Sequence, residues 1–365
     1  MWNDVHARAA IDDRRTYLTG FSGGARAAVL LARRAPGAVA GVIGCGAGFP
    51  EEKAQTLSIP YFGTVGDRDF NYYEMRALEE TLSAAGSVHR VEVFEGGHDW
   101  PPDALAREAV AWMELQAIKS GTRPRDAEAI AAFYAEDLRR AQSLETGGHA
   151  PDALIRYRHI ARDFAGLTDV SSAESRAEGL GESPEVRRAV AQARRRDERD
   201  RATLRTLFAK LDRTLASPEP PLAGAIAAEL GISALRKRAA SDDSPEERAS
   251  ARRILANLRA QTSFYMPEKL LAEGDSSRAR VVLSVAAALD PADPLGDYNL
   301  AAADARTGQT ARAIEELRWA VEKGFRRFEL IDGDPDFASA RADPAFQKWL
   351  AEARARDPTP TPPSR

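Results

Sequence analysis

Three polar side chains in the first hundred residues could act together in acyl transfer: Ser22, Asp69 and His98. The short motifs around them are Gly20-Phe21-Ser22-Gly23-Gly24, Gly66-Asp67-Arg68-Asp69 and Gly96-Gly97-His98. A serine hydroxyl is a weak nucleophile until a nearby base removes its proton, and histidine can do so near neutral pH. A carboxylate on the other ring nitrogen fixes the tautomer and stabilises the imidazolium.

The residues on either side of Ser22 predict a strand, a sharp turn and a helix. Residues 16–19 favour a strand, and an Ala- and Leu-rich helical pattern follows Gly24 directly. In this context a Gly-x-Ser-x-Gly motif can hold a nucleophile. We expect Gly20 and Gly24 to let the strand and helix approach closely, and Gly23 to offer an N–H beside the Ser22 oxygen. The alternative, without a catalytic role for Ser22, is a turn that needs glycine for packing only.

Strand and helix patterns alternate through residues 1–120. Apolar runs predict strands at 39–45, 59–66 and 90–94, and helical periodicity predicts helices at 73–86 and 103–118. Alternation of this kind predicts a parallel sheet with right-handed crossovers. Chemistry in such sheets collects at the carboxyl ends of the strands, where Ser22, Asp69 and His98 all fall.

The order Ser, Asp, His on this topology resembles the α/β-hydrolase superfamily, especially its esterase and dienelactone-hydrolase-like members, over residues 4–120. The resemblance implies that Ser22 is the nucleophile, His98 the general base and the Gly23 N–H an oxyanion donor. It implies Asp69 as the triad acid, because such families show Gly-x-x-Asp there. A tighter turn would put Asp67 in its place.

Several of these residues also have ordinary structural interpretations. His98 could be a solvated loop residue, and the two aspartates are common turn formers. Phe21 and Trp100 either line the mouth of a substrate pocket or belong to the core. We expect structural roles for the other histidines, His6, His89, His149 and His159.

The superfamily sheet has several strands before its nucleophile strand, and this sequence shows none before Ser22. A loop after one of those strands supplies the second oxyanion donor, and losing one donor costs about 100- to 1,000-fold in rate. We therefore expect weak or no activity from the chain as given, and we expect it to be the carboxyl-terminal part of a longer hydrolase. Residues 1–6 do not resemble a signal peptide, so the sequence as it stands predicts a cytoplasmic location. Any export signal would lie in the missing segment.

After the hinge at residues 121–124 the strand patterns stop and helical periodicity continues to about residue 355. Gly274-Asp275-Ser276-Ser277-Arg278-Ala279 recurs as Gly308-Gln309-Thr310-Ala311-Arg312-Ala313, a shift of 34 residues. This period resembles the tetratricopeptide repeat, most clearly over 267–324. The sequence thus predicts an α/β domain at 1–120, a helical repeat domain at 121–355 and a disordered tail at 356–365.

Composition excludes several other classes of protein. The net charge of −4 is too small to indicate a nucleic-acid partner, and the arginines of 187–205 alternate with acidic residues. The single cysteine, Cys45, excludes an internal disulfide and a cysteine-based metal cluster. No apolar stretch is long enough to predict a membrane span. We expect neither a metal nor an organic cofactor.

Two functions are compatible with these observations. The first is a serine hydrolase that acts on a small ester or another acyl substrate. The second is a non-catalytic interaction protein, in which the repeat domain binds a protein or peptide and the hydrolase-like domain serves as scaffold.

Overall fold

Short β-favouring runs separated by helices build a parallel sheet near the start of the chain. We describe the protein from a computed structural model, which covers residues 2–50, 56–217 and 221–356. The strands are β1 (Tyr17–Phe21), β2 (Gly41–Cys45), β3 (Tyr61–Gly66) and β4 (His89–Phe94). The helices around them are α1 (Trp2–Arg8), α2 (Gly23–Arg34), α3 (Tyr72–Ala84) and α4 (Asp103–Lys119). All pairings are parallel and the strand order is β1-β2-β3-β4, so the predicted parallel sheet is confirmed.

Helices cover both faces of this sheet. Val42, Tyr61 and Val65 pack against the apolar sides of α2 and α3. On the other face Phe62 packs against Trp112 of α4. Strands buried on both faces need continuous apolar sequence, which explains why β2 and β3 show no polar alternation.

The approach of β1 to α2 depends on one glycine. A Cβ atom on Gly20 would lie 2.3 Å from the backbone carbonyl carbon of Gly24, which no side chain can tolerate. A Cβ atom on Gly24 would meet nothing within 4 Å. The expectation that both glycines permit the close approach therefore holds for Gly20 alone.

The helices that follow α4 are α5 (Ala127–Thr146), α6 (Ala150–Phe164), α7 (Ser171–Glu182) and α8 (Pro184–Leu215). The chain divides into two compact units, Met1–Arg201 and Ala202–Arg365. The predicted division at residue 120 marks the end of the mixed α/β structure, whereas packing divides the chain after Arg201. The reason is that Leu115 and Ile118 of α4 share a core with Tyr157 of α6.

Arg90 is buried in β4 and is surrounded by carboxylates. Its guanidinium donates to both oxygens of Asp137 at 3.0 and 3.2 Å and to Glu92 at 2.7 Å. Arg156 donates to Glu92 and Asp137, each at 3.0 Å. Burial alone would lower the pKa of Arg90, but the neighbouring carboxylates raise it, so the side chain stays charged. Because Asp137 lies on α5 and Arg156 on α6, this ionic cluster joins both helices to the sheet.

The second unit is helical throughout its described residues. Its helices are α9 (Ala223–Glu229), α10 (Ile232–Ala240), α11 (Pro245–Ala260), α12 (Met266–Ala272), α13 (Ser276–Leu289), α14 (Pro294–Arg306), α15 (Thr310–Glu322), α16 (Phe328–Gly333) and α17 (Pro344–Arg356). Ser244 caps the start of α11, because its hydroxyl accepts a hydrogen bond from Glu247 N at 3.2 Å. A π-helical turn at Gln261–Tyr265 joins α11 to α12 just before Pro267, which has no N–H to donate.

The two copies of the 34-residue motif occupy equivalent positions. Gly274 and Gly308 both have positive φ, +82° and +76°, in the turns that precede α13 and α15. Ala279 and Ala313 are both fully buried where the paired helices meet. Assignment to the tetratricopeptide repeat stays a prediction.

The carboxyl-terminal segment closes a core of its own. Phe337, Phe346 and Trp349 are buried together in this core. The predicted disordered tail lies outside the described residues from position 357 onward. Within the described ranges no helix has the length and apolar character needed to cross a membrane.

The Gly20 constraint predicts a large difference between two similar substitutions. Gly20→Ala should destabilise the protein by at least about 3 kcal/mol, because the clash is with backbone. Gly24→Ala should be neutral or stabilising by up to about 1 kcal/mol, since the position is helical and open. Urea unfolding followed by tryptophan fluorescence measures both, and equal stabilities would contradict the argument.

Removal of the buried guanidinium should also be costly. Arg90→Met leaves several carboxylates with too little positive charge, and we expect a loss of about 3–5 kcal/mol in the free energy of unfolding. Arg139→Gln on α5, which breaks an exposed pair with Glu136, should cost less than about 1 kcal/mol and serves as the control.

The effect of Arg90→Met should depend on pH. Burial tends to raise the pKa of Glu92, but Arg156 and Arg90 hold it well below its usual range. A depressed carboxyl pKa stabilises the fold above the ordinary glutamate pKa, about 4.3, and that stabilisation is lost as the pH falls. The difference between wild type and Arg90→Met should therefore shrink in acid, and a difference that grows would contradict the assignment.

Candidate active site

Ser22 lies in a strained turn at the carboxyl end of β1. Its φ is +52° and its ψ is −117°, and it is the one non-glycine residue with positive φ in the described parts of the chain. Its N–H extends the sheet ladder to the Cys45 carbonyl at 2.8 Å, while its carbonyl accepts from Ala25 N at 3.0 Å and starts α2. A non-glycine residue in this conformation costs about 1–3 kcal/mol and persists only where the surroundings enforce it.

The loops after β3 and β4 are joined by backbone hydrogen bonds at the same edge. Arg68 N donates to Gly96 O at 2.9 Å, and Gly96 N donates to an Asp67 carboxylate oxygen at 2.8 Å. A Cβ atom on Gly66 would lie 2.2 Å from Gly97 O, so only glycine allows the loops to cross. This packing brings residues 67–69 next to residues 96–98.

Asp69 and His98 form a direct pair in this crossing. His98 Nδ1 lies 2.9 and 3.0 Å from the two carboxylate oxygens of Asp69, which is only 1% exposed. An ionised carboxylate can only accept, so Nδ1 carries the proton and donates. In the neutral imidazole Nε2 is then the acceptor, which is the state a general base requires.

Asp67, the alternative acid, makes a different contact. One of its carboxylate oxygens accepts the hydrogen bond from Gly96 N described above, so it fixes the loop that carries His98. The structure thus brings Asp69, and not Asp67, into hydrogen-bond contact with the His98 ring.

Aromatic side chains surround the His98 ring. The ring centroids of Phe21 and Phe70 lie 4.6 and 4.2 Å from that of His98. Trp100 packs on Phe21 at 5.4 Å and is 58% exposed. Because Phe21 directly precedes Ser22, its ring links the serine turn to the histidine, and Trp100 offers an apolar surface at the opening.

Asn71 holds two loops of the site together and was not singled out from the sequence. Its side chain donates to Gly46 O at 2.7 Å, and its backbone N–H donates to Asp69 at 2.7 Å. Asn71 precedes the first residue of α3 but its side chain does not cap the helix. The sequence signal was weak, because an Asp and an Asn two residues apart before a helix are ordinary turn formers.

An ion pair joins the serine helix to the helix after Asp69. Arg26 of α2 donates to Glu74 of α3 at 2.9 Å and to Phe49 O at 3.0 Å. The other Glu74 oxygen accepts from Gly48 N at 2.9 Å. The pair therefore fixes the loop after β2 between the two helices.

Gly23 and Cys45 complete the surroundings of Ser22. Gly23 is the first residue of α2, so its N–H is free of intrahelical bonding and is exposed near the serine. Cys45 is buried, and burial raises the pKa of its thiol, which fits a core residue and not a nucleophile. Among the described residues no group of three or more His, Cys, Asp or Glu side chains could hold a metal ion.

Comparison with known proteins supports a hydrolase interpretation of this part of the chain. Residues 3–101 match the family model of the dienelactone hydrolase family, which supports an esterase-like hydrolase for the segment that contains Ser22, Asp69 and His98. No curated protein and no solved structure matches the chain. The partial α/β-hydrolase sheet and the helical remainder fit the predicted fold class.

Asn71 provides a test of the loop arrangement. Asn71→Ala leaves Gly46 O without its buried donor and should cost about 1–3 kcal/mol. Asn71→Asp is nearly the same size but cannot donate when ionised, and it adds a charge two residues from Asp69. We expect the lower melting temperature for Asn71→Asp at pH 7, with partial recovery as the new carboxyl group is protonated. Calorimetry at pH 7 and 5 measures this, and wild-type stability of Asn71→Asp at pH 7 would contradict it.

Proposed function

We propose that the protein is a serine hydrolase that cleaves carboxylic esters through an acyl-enzyme on Ser22. The proposal rests chiefly on the Asp69–His98 hydrogen bond at 2.9 Å, formed at the same sheet edge as the strained Ser22 turn. The dienelactone hydrolase match over residues 3–101 supports hydrolysis as the reaction class.

In the proposed first step, His98 Nε2 takes the proton of the Ser22 hydroxyl as its oxygen attacks the ester carbonyl. Asp69 accepts the hydrogen bond from Nδ1–H throughout, which keeps the ring oriented and stabilises the imidazolium. The tetrahedral intermediate then expels the alcohol, which leaves with the proton from Nε2. The product of this step is the Ser22 acyl ester.

In the second step a water molecule replaces the alcohol. His98 Nε2 removes a proton from the water, whose oxygen attacks the acyl carbonyl. Collapse of the second tetrahedral intermediate releases the carboxylic acid and returns the proton to Ser22. The negative charge of both intermediates lies next to the start of α2, where the free N–H of Gly23 can donate to it.

The rate should be modest. The proposal assigns one oxyanion donor among the described residues, and a single missing donor costs about 100- to 1,000-fold in turnover. Formation of a covalent adduct with an activated reagent needs less stabilisation of the transition state than turnover of a stable ester. Labelling is therefore a more sensitive test than hydrolysis.

The opening of the site favours an apolar group on the substrate. Trp100 presents most of its ring to solvent and stacks near Phe21, so a flat or aliphatic portion of the ester can cover both. We propose small carboxylic esters as the first substrate class, and thioesters or peptides as the second.

Covalent labelling separates this proposal from the non-catalytic alternative. A fluorophosphonate probe should label the wild-type chain and leave Ser22→Ala unlabelled, as read by intact-protein mass spectrometry. If folded wild-type protein takes up no label, the interaction-protein alternative stands in its place.

Matched substitutions at Asp69 and Asp67 test which of the two is the triad acid. Asp69→Asn should lower the labelling rate by about 10⁴-fold, because a neutral amide does not stabilise the imidazolium and its NH₂ group favours the wrong tautomer of the His98 ring. Asp67→Asn keeps an oxygen that can accept from Gly96 N and should change the rate less than about 10-fold. The reverse order would make Asp67 the triad acid.

A further inference from the structure

A cavity of about 330 Å³ lies between α4 and α5, away from the proposed catalytic residues. Its floor is formed by Arg90 of β4 and Phe164 of α6, and neither Ser22, Asp69 nor His98 lines it. Phe94 ends β4 at the sheet edge where the proposed catalytic residues lie. Arg90 precedes Phe94 by four residues, which is about 13 Å of extended chain. The volume falls at the lower end of the range for small-molecule sites.

Among the described ion pairs around the cavity, one lining guanidinium has no partner. Each lining carboxylate has arginine partners, as follows: Glu108 with Arg140 and Arg156, Glu136 with Arg139 and Arg140, and Asp137 with Arg90 and Arg156. Arg107 also lines the cavity, is exposed, and forms no ion pair within the described ranges. The cavity therefore has an unpaired positive charge at its rim.

The remaining walls are apolar and aromatic. Trp112, Phe133 and Phe164 line the cavity together with Leu115 of α4. The polar atom of Trp112 is already used, because its Nε1 donates to Asp163 at 2.9 Å. A ligand that fills this space should bind most tightly if it carries a flat apolar ring system, because aromatic side chains favour stacked or edge-on contacts with such a ring.

We propose that this cavity binds a small aromatic carboxylate, with its ring among Trp112, Phe133 and Phe164 and its carboxylate on Arg107. Guanidinium and carboxylate groups can form two parallel hydrogen bonds, so the anion has a defined place at the rim. The carboxylates of Glu108 and Asp137 are buried, which favours placing the ligand's charge away from them and on the exposed Arg107. This site is separate from the proposed ester-binding opening at Trp100.

The probes for this proposal are 2-naphthoate and its uncharged isostere 2-naphthamide, titrated calorimetrically into the full chain. Naphthoate should bind more tightly than naphthamide. Arg107→Gln should weaken naphthoate binding about 2- to 5-fold, as expected for one exposed ion pair, and should remove the preference for the acid. Arg34→Gln, an exposed arginine on α2, should leave both affinities unchanged.

Two further variants show where on the chain the probes bind. Ala111→Leu narrows the cavity without changing its charge and should weaken both probes. Ser22→Ala should bind naphthoate like wild type. The proposal is overturned if Arg107→Gln keeps the preference for the acid, if Ala111→Leu binds both probes normally, or if modification of Ser22 by the phosphonate blocks naphthoate. The last result would assign the affinity to the Ser22 site.

Discussion

The arrangement of the site depends on the contact of two backbones at Gly20 and Gly24. Since no side chain fits between them, β1 must turn sharply at Ser22, and the serine is held at a φ of +52°. The same turn frees the first N–H groups of α2 beside the hydroxyl. Conformational strain and proximity to a helix start are therefore consequences of a single close approach.

Asp69 and His98 meet because their loops are held together and not because either strand ends in a special residue. Gly66 allows the crossing, while Asp67 and Asn71 supply hydrogen bonds that fix the two loops. Most of the polar groups at this edge therefore position Asp69 and His98 without touching a substrate. A site of this kind tolerates change at its opening, around Trp100, more readily than in its supporting loops.

The sequence predicted the elements better than the contacts between them. Local patterns placed all four strands and the turn at Ser22, because strand and helix periodicity are local properties. The burial of Arg90 could not be predicted, since Glu92 is nearby in sequence but the other carboxylate that its guanidinium donates to, Asp137, lies 47 residues further along the chain. Asn71 was missed for the same reason, because its partner Gly46 O lies in another loop. The extent of the first compact unit depended on packing between α4 and α6, which composition does not reveal.

The ionic cluster around Arg90 has a consequence for how this chain can be divided. The match to the dienelactone hydrolase family ends at residue 101, yet Asp137 and Arg156, which pair with groups of β4, lie beyond it. A gene fragment cut at the end of the family match would encode a sheet whose Arg90 and Glu92 have lost their partners Asp137 and Arg156. In recombination or domain exchange, the sheet should therefore be transferred together with α5 and α6.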